Sequence, residues 1–257
     1  MSLTLDLGGR TAVVTGGVRG VGAGISRALL EAGADVVAVA RREPETLPEG
    51  GGRTARFVSL DVRDPDAVQA FANGLDGVDV LVNNAGGAPY LPVAEGSLRT
   101  HVKIIELNLT SALIMARALR PKIMARGGGS VVNIGSVSGV RPSPGTAAYG
   151  AAKAGLHSLT ASLAVEWAPH IRVNALILGM VRTELSHLHY GDEDGVAAVA
   201  ATVPMGRLAV PYDIGAACAF LASDLASYVT GATLQVHGGG ERPAFLDAAT
   251  VNKEESR

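Results

Sequence analysis

The sequence predicts a three-layer, doubly wound α/β fold on a parallel sheet of about seven strands, and three observations predict it. Seven short runs of apolar, largely β-branched residues recur along the chain. Each run is hydrophobic nearly throughout instead of alternating, as expected for strands covered on both faces. Helical patterns separate most of the runs, and a strand–helix–strand alternation closes through right-handed crossovers into a parallel sheet.

In order, the runs are TAVVTG (11–16), DVVAVA (35–40), RFVSLD (56–61), DVLVNN (79–84), SVVNIG (130–135), IRVNAL (171–176) and ATLQVH (232–237). Helices are expected over 20–33, 65–75, 98–126, 148–168 and 211–222. Asp64 followed by Pro65 reads as an N-cap with proline at the first helical position. The segment 184–210 does not read as one clean helix and carries turn signals at Gly191, Gly195 and Pro204. An insertion of this length at the end of a strand is where a substrate lid is expected. The tail after Gly240 is polar and is expected to be loosely ordered.

No linker or internal repeat divides the 257 residues, so one domain over 1–257 is expected. Hydrophobic residues make up 47% and charged residues 18%, with a net charge of −2 and no long basic run. That balance gives no electrostatic footprint for nucleic acid or for an anionic membrane surface. The single cysteine, Cys218, lies in an apolar run and can form no intramolecular disulfide, which fits a reducing compartment. The N-terminal stretch lacks a basic region followed by an apolar one, and no window is apolar enough to span a bilayer. A soluble, unexported, cytoplasmic protein acting on a small molecule is expected.

The first strand opens into TGGVRGVG, with Gly16, Gly20 and Gly22, and then a helix. Glycines there let the backbone approach a pyrophosphate at a helix N-terminus, although glycines mark any tight strand-to-helix turn as well. In YGAAK, Tyr149 and Lys153 stand four residues apart, on one face of a helix.

Taken together and in order, TGGVRGVG, NNAG (83–86), Asn108 in ELNLTSAL, Ser136 in VVNIGSVSG and YGAAK (149–153) resemble the short-chain dehydrogenase/reductase family over about residues 8 to 240. The resemblance implies a one-domain Rossmann-type oxidoreductase that moves a hydride between a nicotinamide cofactor and a small alcohol/ketone pair. It implies a catalytic set of Asn108, Ser136, Tyr149 and Lys153. Tyr149 exchanges the hydroxyl proton, Ser136 hydrogen-bonds the substrate oxygen, and Asn108 holds a water that links the lysine to solvent. It further implies a cofactor site made by Gly16, Arg19, Gly20, Val21, Gly22, Arg41, Arg42, Asp61, Val62, Asn83, Ala85, Gly86, Tyr149, Lys153, Gly179, Val181 and Thr183. Free tyrosine is too weakly acidic to act as a base near neutrality, and a cationic Lys153 one turn away is expected to favour its phenolate.

The second strand ends AVARRE, with Ala40 where an NAD-binding protein carries an acid, then Arg41 and Arg42. With Arg19, these arginines favour the 2′-phosphate of NADP; read as solvated loop charges, they leave NAD as the alternative. Leu178 stands where the family has proline before Gly179, so an altered turn is expected there. The third crossover is shorter than the family's usual helix. His187 and His189 alternate in SHLHY without a further ligand at metal spacing, so no metal site is expected and a lid role is. The family also implies a homotetramer through YVTGATLQVHGGG and the helices 98–126 and 148–168. A 3-oxoacyl-thioester reductase remains an alternative within this chemistry, and a non-catalytic dinucleotide-binding regulator an alternative outside it. The substrate itself is not legible.

Overall fold

A computed structural model describes residues 4–250. The strands β1 (Thr11–Thr15), β2 (Asp35–Ala40), β5 (Arg56–Ser59), β6 (Val80–Asn83), β7 (Gly129–Ser136), β8 (Ile171–Leu178) and β9 (Thr233–Val236) form one sheet in the order β5-β2-β1-β6-β7-β8-β9. Every pairing in it is parallel. A two-residue hairpin, β3 (Glu49–Gly50) with β4 (Arg53–Thr54), stands apart from it. The chain runs outward from β1 through β2 to β5 and then returns to the other side of β1 as β6. That reversal opens a crevice at the carboxyl ends of β1 and β6, where doubly wound sheets bind ligands.

The helices α1 (Gly20–Glu31) and α8 (Pro211–Ala222) cover one face, burying Ile25, Leu29, Leu30, Ile214 and Leu221 against the sheet. They meet at glycines: a Cβ on Gly24 would lie 2.4 Å from the Pro211 carbonyl carbon, and one on Gly215 would lie 2.4 Å from the Gly24 oxygen. The opposite face is covered by α2 (Pro65–Asn73), α4 (Ser111–Ala125) and α5 (Ala147–Trp167), through Val68, Met115, Leu119, Ile123 and Leu163. Asp64 caps α2, accepting from the amides of Asp66 and Ala67, with Pro65 at the first helical position.

Four expectations need correction. The helix expected over 98–126 is interrupted: α3 (Leu98–Ile105) leads into a π-turn at Glu106–Thr110 before α4. Its cause is chemical, since Asn108 Nδ2 donates to the Ile104 carbonyl and Ser111 Oγ to the Leu107 carbonyl, competing with the helical ladder. The third strand stops at Ser59, and Asp61 belongs to the loop beyond it. The segment 184–210 holds two short helices, α6 (His187–Tyr190) and α7 (Glu193–Thr202), broken at Gly191 (φ +82°) and packed on a small core of Val196, Val203 and Leu208. The tail is not loose directly after Gly240: Glu241 forms an ion pair with Arg141, and a short helix α9 follows at Ala244–Ala248. The rest of the expected loose tail, residues 251–257, lies outside the described residues.

A polar chain crosses the apolar interior. Asn83 Nδ2 on β6 donates to Asn133 Oδ1 on β7 at 2.9 Å. Asn133 Nδ2 donates to Thr160 Oγ1 on α5 at 2.9 Å, and Thr160 Oγ1 donates to the Leu156 carbonyl at 2.8 Å. Buried amides held this way fix α5 against the two central strands. Asn133→Ala would orphan groups on both sides, each at about 1–3 kcal/mol. We expect a lower denaturant midpoint with an unchanged slope, whereas the isosteric change at the exposed Gln69→Glu should leave the midpoint within about 0.5 kcal/mol of wild type.

Candidate active site

The turn after β1 is built for close approach. Gly16 (φ +62°) and Gly20 (φ +50°) take left-handed conformations, and a Cβ on Gly22 would sit 2.0 Å from the Gly16 carbonyl oxygen. Two residues not singled out by the sequence reading hold this turn. Asn84 Nδ2 donates to the carbonyls of Thr15 (2.8 Å) and Gly16 (3.2 Å). Thr15 Oγ1 accepts from the amides of Asn84 and Ala85, both at 2.9 Å, and donates to the Val82 carbonyl. The two sides of the crevice are thus clasped together. The signal for Asn84 was present in the Asn-Asn doublet, but only the pairing of β1 with β6 shows which asparagine faces the turn. Asn83, expected at the cofactor, instead spends its side chain in the interior polar chain, so only its backbone borders the crevice.

Arg19 at the head of α1, and Arg41 and Arg42 just beyond β2, are exposed, and none of them forms an ion pair among the described residues. Gly16 N donates to the Val39 carbonyl, which brings the glycine turn beside the end of β2. Asp61 is held by both nitrogens of the Arg63 fork, and its carboxyl falls to about 2, chiefly through that hydrogen bond, with Arg41 contributing. Val62 beside it is buried. Glycine approach, the unpaired amides at the head of α1 and uncompensated guanidinium groups fit a dinucleotide, whose phosphates need those donors. Val21 packs on the core beside this turn, and Thr183 lies 3.6 Å from a Cβ built on Gly20. Leu178, in the family's proline position, lets β8 continue: Leu178 pairs with Ser136 and Val236, and Gly179 N donates to the Val236 carbonyl. Val181 then bridges to Ala209 at the base of the 184–210 segment.

The parallel sheet brings the other expected side chains to the same edge. Ser136 is the last residue of β7, and its Oγ accepts from the Ser138 amide at 3.1 Å. Tyr149 and Lys153 lie on the first turns of α5, which packs on that strand. Lys153 is buried, donates from Nζ to the Ile134 carbonyl at 2.8 Å, and sits 5.5 Å from the centre of the Tyr149 ring. Asn108 is clamped to the loop after β6: Nδ2 donates to the Gly87 carbonyl at 2.9 Å and Oδ1 accepts from the Gly87 amide at 2.8 Å. A Cβ on Gly86 would lie 2.6 Å from Asn108 Oδ1 and 3.3 Å from Lys153 Nζ, so glycine there keeps asparagine and lysine together.

The electrostatics differ from the sequence expectation. Burial raises the Tyr149 phenol, the hydrogen bond from Ser136 pulls it down, and the neighbouring Tyr190 raises it further. Lys153 does not lower it, because the ammonium lies over the ring face and is turned to Ile134. Burial lowers Lys153 itself to about 8. One turn further on, His157 is lowered by burial and by Lys153, and its Nε2 is buried with no hydrogen-bond partner. Tyr190 went unnoticed in the sequence because the histidines beside it drew attention. His187 Nδ1 meets the Glu184 carbonyl, His189 lies beside the Tyr190 ring, and no group of three or more metal-ligating side chains occurs among the described residues.

The sequence model of a family described as Enoyl-(Acyl carrier protein) reductase matches residues 16–241. The chain belongs to the short-chain dehydrogenase/reductase family. It is 40% identical to a cis-4-hydroxycyclohexanecarboxylate dehydrogenase of Sinomonas cyclohexanicum, over 90% of this chain and 96% of that one. It is 38% identical to 3beta-hydroxysteroid dehydrogenase 1 of Eggerthella lenta, over 91% and 94%. Its fold matches the RhlG/NADP active-site complex of Pseudomonas aeruginosa with a TM-score of 0.83, at 30% identity over 93% of this chain and 99% of that one. As a short-chain dehydrogenase/reductase it is an NAD(P)-dependent oxidoreductase acting on CH–OH groups. No helix among the described residues is long and apolar enough to cross a membrane.

Lys153 carries a stability cost with a defined pH dependence. A buried amine lowered from the ordinary 10.5 to about 8 costs about 3 kcal/mol at pH below 8, where folded and unfolded chains are both protonated. The cost fades as pH rises from 8 to 10.5, because there only the unfolded chain holds the proton. Lys153→Met should therefore be more stable than wild type at neutral pH, and its advantage should shrink across that window. Thermal unfolding of both proteins as a function of pH checks this; an advantage that does not depend on pH would contradict it.

Proposed function

We propose that this enzyme transfers a hydride between NADP(H) and a small alcohol/ketone pair. The nicotinamide supplies or accepts the hydride when bound. Tyr149 gives or takes the proton of the substrate oxygen, and Ser136 donates a hydrogen bond to that oxygen. Lys153 holds the ribose side of the site, and the Asn108–Gly87 clamp keeps the floor beneath Lys153 in place. The observation that carries this reading is the convergence of Ser136, Tyr149 and buried Lys153 at the strand edge bordering the glycine crevice. A donor on the reacting oxygen and a positioned proton-transfer group are what carbonyl reduction requires of the protein.

Arg19, Arg41 and Arg42 are assigned to the 2′-phosphate of NADP, supported by their lack of carboxylate partners, by Ala40 in the acid's place and by the NADP bound to RhlG. Gly179, Val181 and Thr183 are assigned to the nicotinamide end, and the 184–210 segment to a substrate lid. The exposed apolar residues Leu98, Val102, Leu113, Val165 and Tyr228 support assembly into a homotetramer through the α3–α4 and α5 faces and the segment around β9. The lone buried cysteine supports a cytoplasmic setting.

Two measurements test the reading. Tyr149→Phe should lower hydride transfer about 10²–10⁴-fold while leaving the Kd for NADPH nearly unchanged. A variant that keeps half its rate, followed by nicotinamide absorbance, would remove Tyr149 from the proton-transfer role. Ala40→Asp should raise the KM for NADPH at least about tenfold and spare NADH, since a carboxylate repels a phosphate yet accepts hydrogen bonds from a free ribose hydroxyl. A wild-type preference for NADH would contradict the arginine assignment.

A further inference from the structure

We infer that Arg141 is a carboxylate-recognition residue of the substrate site, so that the preferred alcohol or ketone is an organic acid. This rests on the oxidoreductase reading above. Arg141 stands five residues beyond Ser136, on the wall that joins β7 to α5, and is the only cationic side chain in the wall segment 137–146.

The wall is a stiff mount. Its first turn, Val137–Gly139, is helical, and the Val140 and Arg141 amides both donate to the Val137 carbonyl. Pro142 and Pro144 restrict the backbone that follows. Gly145 (φ +76°) accepts at its carbonyl from the Leu91 amide at 2.6 Å, and the Tyr90 ring fills the space where a side chain on Gly145 would stand. On this mount Arg141 Nη1 donates back to the Pro142 carbonyl at 3.0 Å, and Nη2 donates to Glu241 Oε1.

The carboxylate partner comes from a different kind of backbone. Glu241 follows Gly238, Gly239 and Gly240, whose φ values are +62°, +94° and +86°, a run of conformations that side-chain-bearing residues rarely adopt. The adjoining tail is fastened to the lid, with Arg242 N donating to the Thr202 carbonyl and Met205 N to the Gly238 carbonyl. Tyr190, on lid helix α6, feels the charges of both Glu241 and Arg141 and in turn acts on Tyr149. The guanidinium therefore faces the substrate side of the proton-transfer phenol, with a second phenol between them.

Two physical points lead from this arrangement to a carboxylate. A guanidinium is a planar fork matched to carboxylate geometry, and Glu241 shows that the fork receives one in this setting. The side chains of the pair are 40% and 37% exposed, and an ion pair so open to water contributes little net stability. Exchanging Glu241 for a substrate carboxylate thus costs little, while the arginine stays fixed by the wall.

The test measures binding of cyclohexanecarboxylate, hexanoate and benzoate, each beside its primary amide, to the enzyme loaded with NADP by calorimetry. Wild type should bind at least one acid about tenfold or more tightly than its amide, the range expected of a charge-assisted hydrogen bond. Arg141→Gln should erase that preference, and Glu241→Gln, which keeps the arginine and removes the competing charge, should strengthen it. Equal binding of acid and amide, failure of all three acids to bind, or a preference surviving in a folded Arg141→Gln enzyme would each overturn the inference. Turnover separates the two readings: neutral ketones reduced without any advantage for acids would sink the carboxylate inference alone. Absence of NADPH oxidation with every ketone would sink the oxidoreductase reading.

Discussion

The buried hydrogen bond from the Lys153 ammonium to the Ile134 carbonyl is the contact on which the rest of the site depends. It joins the first turns of α5 to the last residues of β7, and those two elements carry Tyr149 and Ser136. Everything nearby is arranged to make that bond tenable. Asn83, Asn133 and Thr160 fix α5 against β6 and β7 below it, and the Asn108 clamp and side-chain-free Gly86 leave room for the ammonium above it. A charge withdrawn from water with one carbonyl as its printed partner is a stability liability. A chain optimised for stability alone would replace it with an apolar residue of similar length, and its presence marks a position held for chemistry.

The proton-transfer pair is subtler than a lysine lowering a tyrosine. Both groups are shifted toward their neutral forms by burial, and the lysine faces the ring instead of the phenolic oxygen. Only the Ser136 hydroxyl acts directly on the phenol to favour its anion. Lys153 is therefore better described as the residue that orients the Tyr149 ring and presents a cation to the ribose side, with serine and tyrosine sharing the reacting oxygen between them. His157, neutral and packed under Gly135 and Gly139, completes the interior beneath the lysine without adding charge.

Most of the architecture was legible in the sequence because parallel strands buried on both faces leave continuous apolar runs, and all seven runs became strands of one sheet. The helix starts were legible where the chemistry is local, as at Asp64 and Pro65. What escaped was set by tertiary contacts. The π-turn at Asn108 arises from a side chain reaching Ile104 and Gly87, the second of which is distant in sequence. Asn83 and Asn84 are neighbours in the chain yet face opposite ways, one into the interior and one into the crevice, and strand pairing alone decides which. The order of the tail beyond Gly240 depends on Arg141, a hundred positions earlier, and no local pattern announces it.

The glycine crevice, the arginine edge and the serine–tyrosine–lysine group all lie at the carboxyl ends of the parallel strands, so the sheet's topology gathers them without long-range coordination in sequence. The wall, lid and tail are appended to that frame and carry what varies from one substrate to another. The buried ammonium is the part of this arrangement most exposed to a direct check. Heteronuclear NMR of Lys153, assigned by comparison with Lys153→Met, reports its titration in the folded enzyme. A midpoint near 8 is the result expected here, and a midpoint at or above the ordinary 10.5 would show that the ammonium is not held in a desolvated pocket, contradicting the account of the site at its base.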